Sequence, residues 1–187
     1  MRIVAGRLKG RAIVTPDGRG TRPTSDRARE SVFNILEHAP WSAGIAERRV
    51  IDLFAGSGAL GLEAMSRGAA FCLFVETDAN ARGAIRQNIE ALALFGDTRL
   101  HRRDATDLGA RPAALTAPFD LAFLDPPYHA GLGARALANL LPGGWITHDA
   151  AIVFECAADE TPETPGFIVE DERTWGAAKV LFLRVAP

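Results

Sequence analysis

From residue 48 onward, short apolar runs alternate with segments of helical spacing, and few folds accept that rhythm. Runs at 50–55, 71–75, 100–103, 119–124 and 151–155 predict strands; 59–66, 79–94 and 132–141 predict helices between them, with a loose segment reaching residue 115. Strand, helix and strand in turn make βαβ units, whose crossover helices must lie against the sheet, so the sheet is parallel and covered on both faces. Near the C-terminus, 167–170 and 180–185 flank Thr174-Trp175-Gly176 with no helix between them, which predicts an antiparallel hairpin at the sheet edge. The expected fold is therefore α/β and Rossmann-like: a mostly parallel seven-stranded sheet with helices on both faces. Ahead of it, Ser25 or Asp26 can cap a helix in which Ala28, Val32, Phe33 and Leu36 share a face, ending near Pro40.

A chain of 187 residues suits one such domain plus a small appendage. With 48% hydrophobic and 24% charged residues it has the balance of a folded chain rather than a disordered one. Its apolar runs fall far short of the ~18 residues that suggest a membrane span, and the opening MRIVAGRLKGR lacks the apolar stretch of a signal peptide. Cys72 and Cys156 each lie inside an apolar run and read as core residues in a reducing, cytoplasmic setting. His38, His101 and His148 show no metal-ligand spacing with one another or with the cysteines, and His129 reads as a loop histidine, so no metal is expected.

The net charge of −2 conceals an asymmetry, because residues 1–29 carry eight basic side chains against Asp17 and Asp26, a local charge of +6. A basic end on an acidic body points to a polyanion held at one end of the molecule. Gly6, Gly10, Pro16, Gly18, Gly20 and Pro23 break this region up, so it predicts not a basic helix but a small hairpin of strands at 2–5 and 11–15. The expected division is a basic arm over 1–22 and a main domain over 23–187.

Two motifs carry the chemistry. Asp52-Leu53-Phe54-Ala55-Gly56-Ser57-Gly58-Ala59-Leu60-Gly61 leaves a predicted strand and opens a helix, with Gly56, Gly58 and Gly61 in GxGxxG spacing. Glu76, at the end of the second strand, can accept hydrogen bonds from a ribose diol. NAD and S-adenosylmethionine both satisfy this much. Asp52 favours the second, since a carboxylate at the strand end opposes a pyrophosphate but suits an ammonium and a sulfonium. Asp104, after the third strand, is placed for an adenine amino group or, alternatively, to cap a helix starting at Ala105.

The fourth strand ends in Asp125-Pro126-Pro127-Tyr128. Open α/β sheets bind ligands beyond the carboxyl ends of their strands, which sets this tetrapeptide beside the glycine loop. Two prolines fix φ and remove donors, leaving the Asp125 carboxylate and the Pro126 carbonyl as acceptors and Tyr128 as a flat face. An exocyclic amino group of a nucleobase needs that set: acceptors for its hydrogens and a surface for its ring. Holding both hydrogens directs the nitrogen lone pair at a methyl donor, and transfer is then a direct in-line displacement with no covalent enzyme intermediate.

With these motifs the chain resembles class I S-adenosylmethionine-dependent methyltransferases that modify base amino groups. Met1-Arg2-Ile3-Val4-Ala5-Gly6, Leu8-Lys9-Gly10-Arg11 and the block from Arg22-Pro23-Thr24-Ser25-Asp26-Arg27 through Asn34-Ile35-Leu36 narrow the resemblance to the RsmD family. It runs to the final hairpin, where Trp175-Gly176 stands in place of the family's frequent Tyr-Gly. The resemblance implies methylation of the N2 amino group of guanine 966 in 16S ribosomal RNA, within an assembled or partly assembled small subunit whose ribosomal proteins form part of the recognition surface. It implies S-adenosyl-L-methionine as cofactor and S-adenosyl-L-homocysteine as product. By position, Asp52, Phe54, Ala55, Gly56, Ser57 and Gly58 would line the methionine end, Glu76 and Thr77 the ribose, and Asp104 and Ala105 the adenine. Asp125, Pro126 and Tyr128 would take the guanine, with Asp125 also beside the cofactor. Thr24 and Arg27 would fold over the cofactor side, and Arg2, Arg7, Lys9, Arg11 and Arg22 would grip RNA.

Other readings remain open at this level. A DNA adenine-N6 or cytosine-N4 methyltransferase shares the tetrapeptide but usually carries a target-recognition domain, for which no insertion here is long enough. An NAD-dependent oxidoreductase would need a hydride-transfer site that the sequence does not offer. A non-catalytic RNA-binding module on a methyltransferase shell is the third.

Overall fold

The structure is a computed structural model and describes residues 1–16 and 25–187; Arg22 and Thr24 therefore lie outside the described residues. Seven strands form one sheet in the order β3-β2-β1-β4-β5-β7-β6. They are β1 (Arg49–Leu53), β2 (Phe71–Val75), β3 (Thr98–His101), β4 (Phe119–Leu124), β5 (Ile146–Ala157), β6 (Phe167–Trp175) and β7 (Ala178–Val185). The first five are parallel, while β7 runs antiparallel to both β5 and β6. The helices are α1 (Asp26–His38), α2 (Ala59–Ser66), α3 (Ala79–Ala91) and α4 (Leu132–Leu140). The predicted architecture is thus the observed one.

Each central strand is apolar on both sides, as a doubly covered sheet requires. Val50, Cys72, Phe74, Leu121, Phe123 and Val153 pack into one core with Val32, Phe33 and Leu36 of α1. Their neighbours Ile51, Leu73, Val75, Ala122, Leu124 and Phe154 pack into the other with Ala136, Leu137 and Leu140 of α4. Because strand side chains alternate, Asp52, Asp125 and Glu155 follow Val50, Phe123 and Val153 onto the first face. Both cysteines are buried and free.

The differences from the sequence reading have local causes. The third helix stops at Ala91, not 94, because Ala93 takes a left-handed φ of 55°, and a non-glycine residue gives no warning of that. A 3₁₀ turn, Phe95–Asp97, follows, and Thr98 Oγ1 bonds the Leu94 carbonyl at 2.8 Å, so β3 begins and ends two residues early. At the N-terminus the chain folds back on itself, with Ile3 N donating to Arg11 O at 3.0 Å, but among the described residues only Arg2 and Ala12 form a β-bridge there. The intervening donors are taken elsewhere: Val4 N and Ala5 N go to the Glu63 carboxylate at 2.9 and 3.0 Å, Leu8 N to Ser66 Oγ at 3.0 Å, and Arg7 N to Ser66 O at 2.9 Å. The arm is strapped along α2, with Ile3, Leu8 and Ile13 in the core.

Candidate active site

The strands β1 and β4 are neighbours, with Leu53 opposite Leu124, so the two motif loops leave the sheet side by side. Asp125 N points back to Leu53 O at 3.5 Å. The chain crosses from β1 toward β2 on one side and from β4 toward β5 on the other, which makes this the switch point where open α/β sheets form their crevice. The strand order β3-β2-β1-β4 sets Asp104, Glu76, the glycine loop and Asp125 along one edge in that sequence.

The glycine loop is built by left-handed backbone. Phe54, Gly56 and Gly58 have φ of 57°, 59° and 81°; for Phe54 that is a strained conformation, of the kind that concentrates at ligand sites. The glycines divide the work. A Cβ on Gly61 would lie 2.5 Å from Phe74 Cε1 and 2.6 Å from Cys72 Sγ, so this glycine lets α2 press against β2. A Cβ on Gly58 would meet Phe74 at 3.1 Å, whereas one on Gly56 would meet nothing within 4 Å. Gly56 therefore faces open space at the head of the crevice.

Asp52 is buried beneath the loop and accepts from Gly61 N at 3.0 Å. Burial pushes its carboxyl well above the usual range, the Gly61 amide opposes this, and the charges of Asp125 and Glu76 add to it. Glu76 accepts from Gly56 N at 2.8 Å and from Thr77 N and Asp78 N at 2.9 Å, fastening the glycine loop to the end of β2. Ser57 is buried, and its carbonyl accepts from Asn88 Nδ2 at 3.0 Å. Asp104 is exposed and accepts from Thr106 N at 2.8 Å and Thr106 Oγ1 at 2.7 Å, which holds its carboxyl below the usual range. No helix follows it; the residues form a turn that buries Ala105.

At the second motif Pro126 is buried and Asp125 and Tyr128 are half-buried. The Tyr128 hydroxyl donates to Glu155 Oε1 at 2.5 Å, and His129 N donates to Glu160 Oε1 at 2.9 Å. Behind the prolines lies a cavity of about 300 Å³ lined by Phe154, Cys156, Glu160 and the start of α4. Phe154 and Cys156 face the sheet side opposite Asp52, so this cavity lies away from the glycine loop.

The arm cations split into two kinds. Arg2 bonds the Gly10 carbonyl at 2.7 Å and Arg11 the Ala91 carbonyl at 2.6 Å, while the Arg7 and Lys9 side chains extend from the exposed rim of the arm. Arg27 is exposed in the first turn of α1. Among the described residues no group of His, Cys, Asp and Glu is placed to hold a metal ion, and no helix is long and apolar enough to cross a membrane.

Four residues that organise the site escaped the sequence reading: Glu63, Asn88, Glu155 and Glu160. Asn88 bonds Val14 through both N and O, at 2.8 and 3.0 Å, as well as Ser57, and so ties the arm to the glycine loop. The usable signal was a polar residue on an apolar stripe. Asn88 falls in line with Ala81, Ala84, Ile85 and Ile89, and Glu155 interrupts the apolar run of β5.

A sequence model of the family described as "Conserved hypothetical protein 95" matches residues 1–184. Ribosomal RNA small subunit methyltransferase D of Escherichia coli (strain K12) is 39% identical over 157 residues, covering 83% of this chain and 74% of that protein. The protein of the same name from Haemophilus influenzae is 33% identical over 178 residues, 94% of this chain and 89% of that one. Among solved structures, yhhF from Escherichia coli superposes with a TM-score of 0.80 at 31% identity, covering 99% of this chain and 97% of that one.

Proposed function

This chain belongs to the RsmD family of ribosomal RNA small subunit methyltransferases, and from that premise we propose that it methylates the N2 amino group of a guanine in 16S ribosomal RNA, the one at position 966. The observation that carries the reading is the pairing of Leu53 with Leu124, which sets a glycine loop open at Gly56 beside an acceptor loop headed by Asp125.

The residues suit S-adenosylmethionine. Gly56 leaves room for a close backbone approach, and the buried Asp52 carboxylate, which burial disfavours as an anion, gains a cation to balance it. Asp52 and the loop 54–58 would hold its methionine end, Glu76 and Thr77 its ribose, and Asp104 and Ala105 its adenine, with Thr24 and Arg27 on the outer side. When bound, the cofactor supplies a methyl group on an electrophilic sulfur.

The chain's own residues do the rest. The Asp125 carboxylate and the Pro126 carbonyl accept the two amino hydrogens, turning the nitrogen lone pair toward the glycine loop. The Tyr128 ring supports the extruded base, a contact worth roughly 1–3 kcal/mol where bases stack on aromatic side chains. Asp125 remains hydrogen-bonded to the amino group as it becomes cationic and takes the proton that leaves. Arg7 and Lys9, with Arg2, Arg11 and Arg22, would meet the phosphates. The substrate is the small subunit, assembled or partly assembled, in the cytoplasm, where ribosomal proteins share the contact surface.

The test offers labelled S-adenosylmethionine together with undermethylated small subunits, naked 16S ribosomal RNA or duplex DNA, followed by mapping of the labelled nucleotide. Label on guanine N2 at position 966 is the expected result. Preferential labelling of DNA overturns it. An Asp125→Ala protein should bind the cofactor but transfer methyl about 10²-fold more slowly, as when a preorganised polar group is deleted.

A further inference from the structure

Glu155 is a carboxylate in an unusual place. It lies near the end of β5 in a run where every residue from Ala150 to Ala157 is buried, and it is 7% exposed. A charge taken out of water needs hydrogen bonds in return. Glu155 takes one from the Tyr128 hydroxyl at 2.5 Å, the short distance of an O–H donor to a carboxylate.

Two features make this bond more than a burial partner. The first is the side of the sheet it selects. Leu124 pairs with Phe154, so Glu155 sits one residue beyond the last paired position of β4, and alternation turns it to the face shared by Asp52 and Asp125. A tyrosine held there is held on the glycine-loop side, away from the cavity behind Pro126. The second is how the loop is fixed otherwise. Pro126 and Pro127 set the backbone before Tyr128. After it the chain reverses at His129, whose φ is 61° and whose amide is held by Glu160. Those contacts locate the Tyr128 Cα, the ring meets His129 edge-on with 6.5 Å between centroids, and the bond from its hydroxyl to Glu155 directs its far end.

We propose that Glu155 is a positioning residue for methyl transfer: through the Tyr128 hydroxyl it holds the ring on the glycine-loop face, where the target base must lie to receive the methyl group. The inference rests on the functional reading given above, in which Tyr128 supports the base. Glu155 itself touches neither base nor cofactor. Its loss removes that hold on the far end of the ring, which lowers the transfer rate and leaves the cofactor's binding loop intact.

The test uses the full chain, undermethylated small subunits and single-turnover methylation, with cofactor affinity measured separately. Tyr128→Phe and Glu155→Ala should each transfer about tenfold more slowly, the scale of one hydrogen bond to a charged group. The Tyr128→Phe/Glu155→Ala double variant should be no slower than the slower single variant, since both remove the same bond. Glu155→Gln keeps an oxygen acceptor and should recover to within about threefold of the wild-type rate. All four should bind S-adenosylmethionine within about twofold of wild type, because none alters the glycine loop. A Tyr128→Phe protein at the wild-type rate overturns the proposal, and so does a double variant slowed by the product of the single effects. Equal losses in rate and cofactor affinity also overturn it. If Glu155→Ala fails to fold, Tyr128→Phe and Glu155→Gln decide the matter by the same criteria. A wild-type protein that methylates no ribosomal RNA overturns the functional reading and this inference with it, whereas active wild type with insensitive variants removes the inference alone.

Discussion

Gly61 offers a quantitative test of how α2 is seated. An alanine there would place its Cβ 2.5 Å from Phe74 Cε1, 2.6 Å from Cys72 Sγ and 3.0 Å from Phe74 Cζ, against about 3.5–4.0 Å for unstrained carbon contacts. Neither neighbour can step aside, since Phe74 and Cys72 are fully buried in the strand beneath. The helix must therefore lift by roughly 1 Å, the shortfall against normal contact. Overpacking of this kind costs about 1–3 kcal/mol, while replacing a helical glycine by alanine returns up to about 1 kcal/mol. Lifting α2 also stretches the bond from Gly61 N to the buried Asp52 carboxylate, now 3.0 Å; hydrogen bonds to charged groups are worth about 1.5–3 kcal/mol. Allowing for partial loss of that bond, Gly61→Ala should destabilise the protein by about 2 kcal/mol. Urea denaturation should show the midpoint falling by about 1 M at unchanged slope. Adding Cys72→Ala removes the sulfur contact and should restore part of the loss. A Gly61→Ala protein as stable as wild type would mean that α2 does not bear on β2, and the account of this glycine would fail.

Further outcomes follow from the charges. Asp52 is raised by burial, so its contribution to stability is fully present below the ordinary carboxylate range and is lost as the pH rises through the folded-state value. Asp52→Asn should flatten the pH dependence of stability across that window, read by denaturation at a series of pH values. A cationic cofactor favours the ionised form, so binding should release a proton. Calorimetry in buffers of different ionisation heat detects this, and identical heats would refute it. In the arm, Arg7→Glu with Lys9→Glu should weaken RNA binding and reduce the slope of log affinity against log salt by about 1.4, at roughly 0.7 per single-strand phosphate contact. Cofactor affinity should stay the same, and an unchanged salt slope would mean these cations face solvent only.

The parts of this molecule that follow periodicity were legible, and the parts that follow from single polar contacts were not. Alternation of strand and helix predicts the sheet because burial on both faces leaves no other arrangement for such runs. The face of α1 formed by Ala28, Val32, Phe33 and Leu36 is the one buried, with Arg29 added to it. Arg29 shows why the addition was invisible. It is 1% exposed, and its guanidinium is met by Asp26 at 3.0 Å, by Glu63 at 3.8 Å and by the Arg2 carbonyl; Glu63 is thirty-four residues away in the chain. The early stop of α3, set by the left-handed Ala93, and the lost N-terminal pairing share that origin: each depends on a conformation or acceptor that no local pattern encodes. The candidate site divides in the same way. Its two motifs stand out as spacing, whereas the carboxylates that brace the second, Glu155 and Glu160, come from β5 and the turn beyond it.

The strapping of the arm bears on how substrate and cofactor meet. A basic segment rich in glycine and proline reads as an appendage, yet Ile3, Leu8 and Ile13 are core residues and Glu63 and Ser66 take up its amides. Asn88 then joins Val14 to Ser57 through one side chain that is 1% exposed. Any displacement of the arm that breaks its bonds to Asn88 leaves the buried Oδ1 without the Val14 amide it accepts from, which is costly. The arm and the glycine loop are thus held to α3 by the same residue, and the cations at Arg7 and Lys9 ride on backbone bonded to α2, the helix that the glycine loop opens. An RNA held by these cations is therefore registered against the cofactor loop through packed helices, so the position of the target base depends on the rigidity of α2 as well as on the acceptor loop that receives it.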